Sequence, residues 1–333
     1  MAFVRQDLFY DCVPFNGERA PWLGGDLQTI RNTLLATSVP LETGDTLILQ
    51  LPDGDQLLAV HHKTPQKQQK GLIVIAHGLA GDCDSSYVRH LAAGAMAAGY
   101  DALRLNLRGA GRGQELARSS YHAGRADDLH FVIHKMAALF PALPLFLCAY
   151  SLGGTMAVNL VSRFEVPDAL RAVASFCAPL DMVASAKRFH EPRNKLYNRH
   201  FTKSLIALTM ARFLRDPSIM PDGLSPKRLQ QIKTVREFDD LFTSKIAGYY
   251  DADAYYKGTT PLADLPKITT PTLLVHSDND PLIPDAAYHK IKPHRSVFCV
   301  MTKGGGHVGF HGRGHFYACW QTQVALQFFN ALF

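Results

Sequence analysis

Short apolar runs alternate with helical patterns over the first half of the chain. Residues 46–51 and 56–62 flank an Asp-Gly turn and predict a β-hairpin. Residues 72–76 (LIVIA) are wholly apolar, which is typical of a strand covered on both faces. The same patterns predict further strands at 100–107, 144–149, 171–177, 271–276 and 296–302, and helices at 86–98, 125–139, 152–164, near 285–291 and at 315–332.

This alternation stops between residues 182 and 258. The segment contains helical stretches such as 202–214, but it has no run that resembles a buried strand. The chain therefore predicts one α/β domain, a mostly parallel doubly wound sheet, interrupted by a helical insertion. We expect an N-terminal arm at 1–45, a core at 46–181 and 259–333, and a helical cap at 182–258.

Composition and charge narrow the class of protein. The chain has 333 residues, 47% of them hydrophobic and 19% charged, which is enough apolar material for a large core and does not favour disorder. No apolar run approaches the roughly 18 residues of a membrane span, and the N-terminus lacks a signal-peptide pattern. Six cysteines occur without a CxxC spacing, and three of them lie in strand-like runs as buried thiols do (Cys148, Cys177 and Cys299). We expect a soluble cytoplasmic protein.

The formal net charge is +6, and the basic residues are scattered apart from one mild cluster. That cluster fits a solvated helical face, with loose attraction to anionic lipid or to an acidic substrate as the alternative. Nothing supports specific nucleic-acid recognition. The cluster consists of Lys187, Arg188, Arg193, Lys195, Arg199 and Lys203.

The strongest chemical signal is the segment 149–154 (AYSLGG), which follows a predicted strand and begins a predicted helix. A tight turn between a strand and a helix exposes a serine hydroxyl above the sheet edge and requires small residues two positions before and after it. Here these are Ala149, where glycine is usual, and Gly153. Ser151 is the candidate nucleophile, and the helix N-terminus favours an anion beside it.

A serine nucleophile needs a general base and an acid that orients the base. In this fold the chain order is serine, acid, histidine. His307 lies in a glycine-rich loop after the last predicted strand and is the candidate base. The acid should follow the strand at 271–276, where Asp280 fits the spacing from Ser277, and Asp278 is the alternative.

The developing oxyanion also needs backbone donors. The amide after the nucleophile, that of Leu152, is one, and the loop at 77–81 (HGLAG) should supply the other through Leu79. His77 is expected to brace this loop. The chemistry requires no metal or organic cofactor. A metal site at His307, His311 and His315 is not favoured because glycines interrupt a helix there, and the glycines at 109–113 lack the spacing of a dinucleotide site.

Taken together, these motifs resemble the YheT-like branch of the α/β-hydrolases over nearly the whole chain. The resemblance also rests on segments 22–29 (WLGGDLQT), 106–109 (NLRG), 237–240 (EFDD), 253–256 (DAYY) and 306–309 (GHVG). It implies an α/β-hydrolase fold and esterase- or lipase-like acyl hydrolysis. The apolar residues of the helical insertion separately predict that the small-molecule ester substrate carries an apolar acyl chain. Acyl transfer to an alcohol, known in some relatives, and a binding protein without chemistry are the alternatives.

Overall fold

A computed structural model describes residues 14–35, 39–313 and 319–332. An eight-stranded sheet in the order β1-β2-β4-β3-β5-β6-β7-β8 forms its centre. β1 pairs antiparallel with β2 and β2 with β4, and all other neighbours are parallel. The strands are β1 (Asp45–Gln50), β2 (Gln56–His62), β3 (Gly71–Ala76), β4 (Tyr100–Leu105), β5 (Leu145–Tyr150), β6 (Leu170–Phe176), β7 (Thr272–Ser277) and β8 (Val297–Thr302).

Helices cover both faces of the sheet. Successive strand residues point to opposite sides, so the apolar strands contribute to one core on each face. In β3, Leu72 and Val74 contribute to one apolar core, whereas Ile73 and Ile75 contribute to the other. The helices around these cores are α1 (Gly25–Leu34), α2 (Ser86–Ala97), α3 (Ala126–Leu139), α4 (Leu152–Arg163) and, near the end of the chain, α11 (Trp320–Ala331).

The segment between β6 and β7 is helical. Its helices are α5 (Met182–Phe189), α6 (Lys195–Arg215), α7 (Pro226–Gln230), α8 (Val235–Phe238), α9 (Ser244–Ile246) and α10 (Ala252–Thr259). Five of its apolar residues form a small core of their own: Leu224, Leu229, Ile232, Phe238 and Phe242. The ends of the segment meet, since Met182 N donates to Thr260 Oγ1 at 3.0 Å and Leu262 N donates to Leu180 O at 3.2 Å. We call 182–258 the cap and keep the boundaries that the sequence predicts.

The strands and most helices of the core agree with the sequence pattern. Near 285–291 the helix is a short 3₁₀ segment, Asp285–Lys290, and Cys299 is half-buried rather than buried. The last helix begins at Trp320, while 314–318, including His315, lie outside the described residues, as do Cys12 and the first 13 positions. Within the described ranges, none of the helices combines the length and the apolarity needed to cross a membrane.

Candidate active site

The turn that carries Ser151 is tight and strained. Ser151 follows the last residue of β5 and precedes the first residue of α4, and its φ is +51°, a conformation that non-glycine residues rarely adopt. A Cβ on Gly153 would lie 2.2 Å from the carbonyl oxygen of His77, so only glycine permits this approach. Ala149 lies between Ala76 and Ser175 on the neighbouring strands and is fully buried, so a small residue fits there. This geometry is that of a nucleophile elbow.

Ser151, His307 and Asp280 form a hydrogen-bonded row. His307 Nε2 lies 2.8 Å from Ser151 Oγ, and His307 Nδ1 lies 2.8 Å from Asp280 Oδ2. The three residues come from the loops after β5, β8 and β7, which end at the same edge of the parallel sheet. An imidazole between a hydroxyl and a carboxylate can accept the hydroxyl proton, while the carboxylate fixes its tautomer.

The structure distinguishes the two candidate acids. Asp280 is buried, and its Oδ1 accepts hydrogen bonds from the amides of Leu282 and Ile283 at 2.8 and 2.9 Å. Burial alone would raise the pKa of Asp280, but the charge and hydrogen bond of His307 hold that pKa below its ordinary value. Asp278 instead accepts a hydrogen bond from Gly304 N at 2.8 Å and joins the two loops. Only Asp280 contacts the imidazole.

The loop after β3 approaches the serine closely. A Cβ on Gly78 would lie 2.9 Å from Ser151 Cβ. Gly78 N and Ala80 N donate to the hydroxyls of Tyr87 and Tyr121, at 3.0 and 2.7 Å, whereas no hydrogen bond of the described chain involves the Leu79 amide. The amide of Leu152, in the first turn of α4, has no partner within its helix. The amides of Leu79 and Leu152, which make no hydrogen bond within the described chain, therefore belong to the two segments that meet at the serine, as an oxyanion site requires.

His77 braces this loop, as the sequence predicts. Its Nδ1 contacts Gly78 O at 2.8 Å, and its Nε2 accepts a hydrogen bond from Leu107 N at 3.1 Å. Burial lowers the pKa of His77 to about 4, so the ring is neutral at pH 7. A neutral ring with one N–H satisfies both contacts, and His77 does not touch the serine hydroxyl.

A cavity lies above Ser151, between the sheet edge and the cap. The cavity has a volume of about 120 Å³. Ser151, His307, Leu79 and Leu152 line its floor. Most of its remaining wall is apolar and comes from the cap, including Met182, Ala186, Phe189, Phe201, Leu205, Val235, Phe238, Phe242 and Ile246.

Asp239 and Tyr256 form a hydrogen-bonded ionisable pair within this wall. Asp239 lies in a π-helical turn between α8 and α9, and its Oδ2 accepts a hydrogen bond from Tyr256 Oη at 2.7 Å. Burial raises the pKa of Asp239 to about 6. The two residues belong to the EFDD and DAYY segments of the sequence, so these segments meet in the cap and line the cavity together.

The N-terminal arm holds the histidine loop. Gln28 Nε2 donates to His311 O at 3.1 Å, and Gln28 Oε1 accepts from His311 N at 2.7 Å, so one side chain pairs with the loop as a strand would. Thr29 Oγ1 accepts a hydrogen bond from His307 N at 2.8 Å. Glu18 Oε1 accepts from Gly305 N at 3.0 Å and from Asn279 Nδ2 at 2.8 Å, which ties the arm to both loops.

Reasoning from the residues alone did not assign these contacts. The LQT segment was informative only through the family resemblance, because residues 28 and 311 are far apart in the chain. The ring of His311 contacts Arg31, and burial together with that cation lowers the pKa of His311 to about 3. His311 therefore supports the loop.

The comparisons agree with this architecture. A family model described as alpha/beta hydrolase fold matches residues 71–313. The chain is 30% identical over 270 residues to the putative esterase YheT of Escherichia coli K12, covering 79% of this chain and 78% of that protein. It is 28% identical over 241 residues to human phospholipase ABHD3, covering 72% of this chain but only 58% of that protein.

Among solved structures, the Pyrococcus furiosus esterase Pf2001 shares the fold. Its TM-score is 0.57 at 14% identity, over 89% of this chain and 95% of that one. At this identity the similarity concerns the fold alone. The family model, the similarity to YheT and the sheet order agree, and the chain belongs to the α/β-hydrolase family, in its YheT-like branch.

Proposed function

We propose that this protein is a serine hydrolase of carboxylic esters, with Ser151 as nucleophile, His307 as general base and Asp280 as the acid that orients it. The observation that carries the proposal is the unbroken row of two 2.8 Å contacts from Asp280 through His307 to Ser151. The names of YheT and of human phospholipase ABHD3 support ester cleavage.

In this mechanism, Ser151 Oγ attacks the ester carbonyl carbon while His307 Nε2 takes the hydroxyl proton. The amides of Leu152 and Leu79 stabilise the negative charge on the carbonyl oxygen. His307 then gives the proton to the leaving alcohol, and an acyl group remains on Ser151. Water, deprotonated by His307, attacks this acyl-enzyme and releases the acid.

The shape of the cavity supports an apolar acyl chain as the substrate group. The wall above Ser151 is formed mainly by aliphatic and aromatic side chains of the cap. Each buried methylene contributes about 0.8 kcal/mol, so kcat/KM should rise severalfold for each two carbons until the cavity is full. The measurement is kcat/KM for p-nitrophenyl esters from acetate to laurate. A profile that is flat, or that falls steadily from acetate, would contradict an acyl site under the cap.

Ser151→Ala tests the reaction itself. The substitution removes one oxygen from a part-exposed turn, so the fold should persist while turnover falls by about 10⁴ to 10⁶. A serine-directed phosphonate should label the wild type and not the variant. Retention of more than about a tenth of the turnover would exclude Ser151 as nucleophile. Product analysis with added alcohol separates hydrolysis from acyl transfer, because both use the same acyl-enzyme.

A further inference from the structure

The positive charge of the chain is concentrated in one part of the cap. Residues 187–233 contain 11 lysines and arginines but only three acidic residues, a net charge of +8, whereas the whole chain carries +6. The rest of the protein is therefore slightly acidic. Such a separation of charge is typical of a surface that attracts an anionic partner.

Helix α6 presents this charge in a row. Lys195, Arg199 and Lys203 recur every four residues, all three are exposed, and α6 contains no acidic residue. None of the three forms an ion pair with any residue in the described part of the chain, whereas nearby Arg188 and Arg193 pair with Glu191 and Asp26. Like charges at this spacing destabilise a helix slightly, and a bound anionic partner would relieve the repulsion.

These cations border a groove on the outer surface of the cap. Lys195, Arg199 and Lys203 lie along one wall, and Lys233 contributes a further cation. The groove also contains apolar residues (Phe189, Pro192, Ile206 and Ile232) and one acid, Glu191, which is already paired with Arg188. Leu196, next to Lys195, is 79% exposed. Cations around an apolar floor match the interface of an anionic bilayer, whereas RNA would leave the apolar residues uncovered.

The groove adjoins the cavity above Ser151. Phe189 and His190 line both spaces, so these two side chains form the wall between them. A lipid bilayer seated on the groove would therefore lie close to the space that we assign to the acyl chain.

We infer that the basic face of the cap docks on an anionic lipid surface and that an ester lipid passes from this surface into the cavity beside Phe189 and His190. The evidence for the docking step is the row of cations on α6 and the groove beside it. The transfer step rests on the proposed function.

The test is binding to vesicles of phosphatidylcholine alone or of equal parts phosphatidylcholine and phosphatidylglycerol, measured by sedimentation. The wild type should bind the anionic vesicles and lose this binding as salt shortens the range of charge interactions. Each basic residue near an anionic leaflet contributes about fivefold in affinity, so the triple variant K195E/R199E/K203E should lose at least about 100-fold. Its kcat/KM on a soluble p-nitrophenyl ester should remain that of the wild type.

The matched control is K290E/K292E/R295E. It makes the same charge change at three exposed residues before β8, at the opposite edge of the parallel strands from the cavity. This variant should bind anionic vesicles as the wild type does. An equal loss of vesicle binding in both variants would show that only the net charge of the protein matters, and this would overturn the proposal.

Docking would be overturned if the wild type did not bind the anionic vesicles. It would also be overturned if the wild type bound an RNA oligonucleotide more tightly than the vesicles through the same three residues. Ser151→Ala should still bind vesicles, so this measurement is independent of the reaction. A loss of vesicle binding without any loss of activity on an ester lipid within those vesicles would overturn the transfer step.

Discussion

The two sides of the cavity are built by different forces. On the core side, loops hold the polar side chains through hydrogen bonds to main-chain amides, such as those of Leu282 and Ile283 to Asp280. On the cap side, apolar side chains such as Phe238 and Phe242 belong to a small core of their own and also line the cavity. Hydrogen bonds fix angles and distances, whereas apolar packing fixes a volume.

This difference determines how each side should respond to substitution. Proton transfer requires heavy atoms within about 3 Å of one another, so a small displacement on the core side costs orders of magnitude in rate. An apolar wall selects its ligand mainly by size, so a change of one side chain there should alter the preferred acyl-chain length by a few methylenes.

Asp280→Asn should cost far more turnover than Asp278→Asn. An asparagine at 280 would favour the wrong tautomer of His307, an effect of about 10⁴ in a well-studied protease. Asp278 contacts Gly304 N and not the imidazole, so its replacement should cost much less. The measurement is kcat for both variants on one ester. Equal losses, or the reverse order, would move the acid to Asp278.

Thr29→Val should lower kcat by about 10- to 100-fold with little change in KM, because it leaves the part-buried His307 amide without its acceptor. Valine has nearly the same shape as threonine, so packing is preserved. Thr29→Ser keeps the hydroxyl and should restore kcat, as expected of a positioning residue. A variant with reduced thermal stability but unchanged kcat would show that Thr29 is only structural.

Leu205→Trp should shorten the preferred acyl chain. Leu205 lines the cavity from α6, and a larger ring there removes space for about two methylenes, a severalfold loss on long esters with acetate unaffected. Leu214→Trp is the matched control, since Leu214 lies on the same helix and is 77% exposed. An unchanged chain-length profile in Leu205→Trp would place the acyl chain elsewhere.

Asp239→Asn should raise the melting temperature by a few degrees at pH 8 and not at pH 4. The folded-state pKa of Asp239, about 6, lies above the unfolded value of about 3.9. The free energy of unfolding of the wild type therefore falls as pH rises from about 4 to about 6, and it stays at the lower value at higher pH. Asparagine keeps an acceptor for Tyr256 and removes the charge. Asp222→Asn, an exposed change in the cap, should have no effect at either pH. A gain that does not depend on pH would contradict this account.

The sequence predicted the elements whose signals are local. The apolar run at 72–76 and the small residues around Ser151 have the required pattern within a few positions. The spacing from Ser277 favoured Asp280, the carboxylate that contacts His307 in the structure. The contacts of Glu18, Gln28 and Thr29 could not be found in this way. They join the arm to loops near the other end of the chain. The periodicity of either segment alone cannot predict which backbone groups of the other segment it contacts.

The pairing of Asp239 with Tyr256 was also beyond local reasoning. Their segments were visible only as part of a family resemblance, because a buried acid in a short helical turn has the same sequence pattern as an exposed one. Similarly, the row at Lys195, Arg199 and Lys203 fits a solvated face in the sequence, and only the groove beside it changes that interpretation.

The contact between α1 and the histidine loop has a consequence for heating. It joins residues 283 positions apart through a few side chains, of which Gln28 is fully buried and Thr29 is half-buried. Such a seam can open locally while the sheet, whose central strands β3, β4 and β5 are buried on both faces, stays folded. His307 would then leave Ser151 before the protein melts. We therefore expect reversible thermal inactivation several degrees below the loss of the sheet's circular dichroism signal.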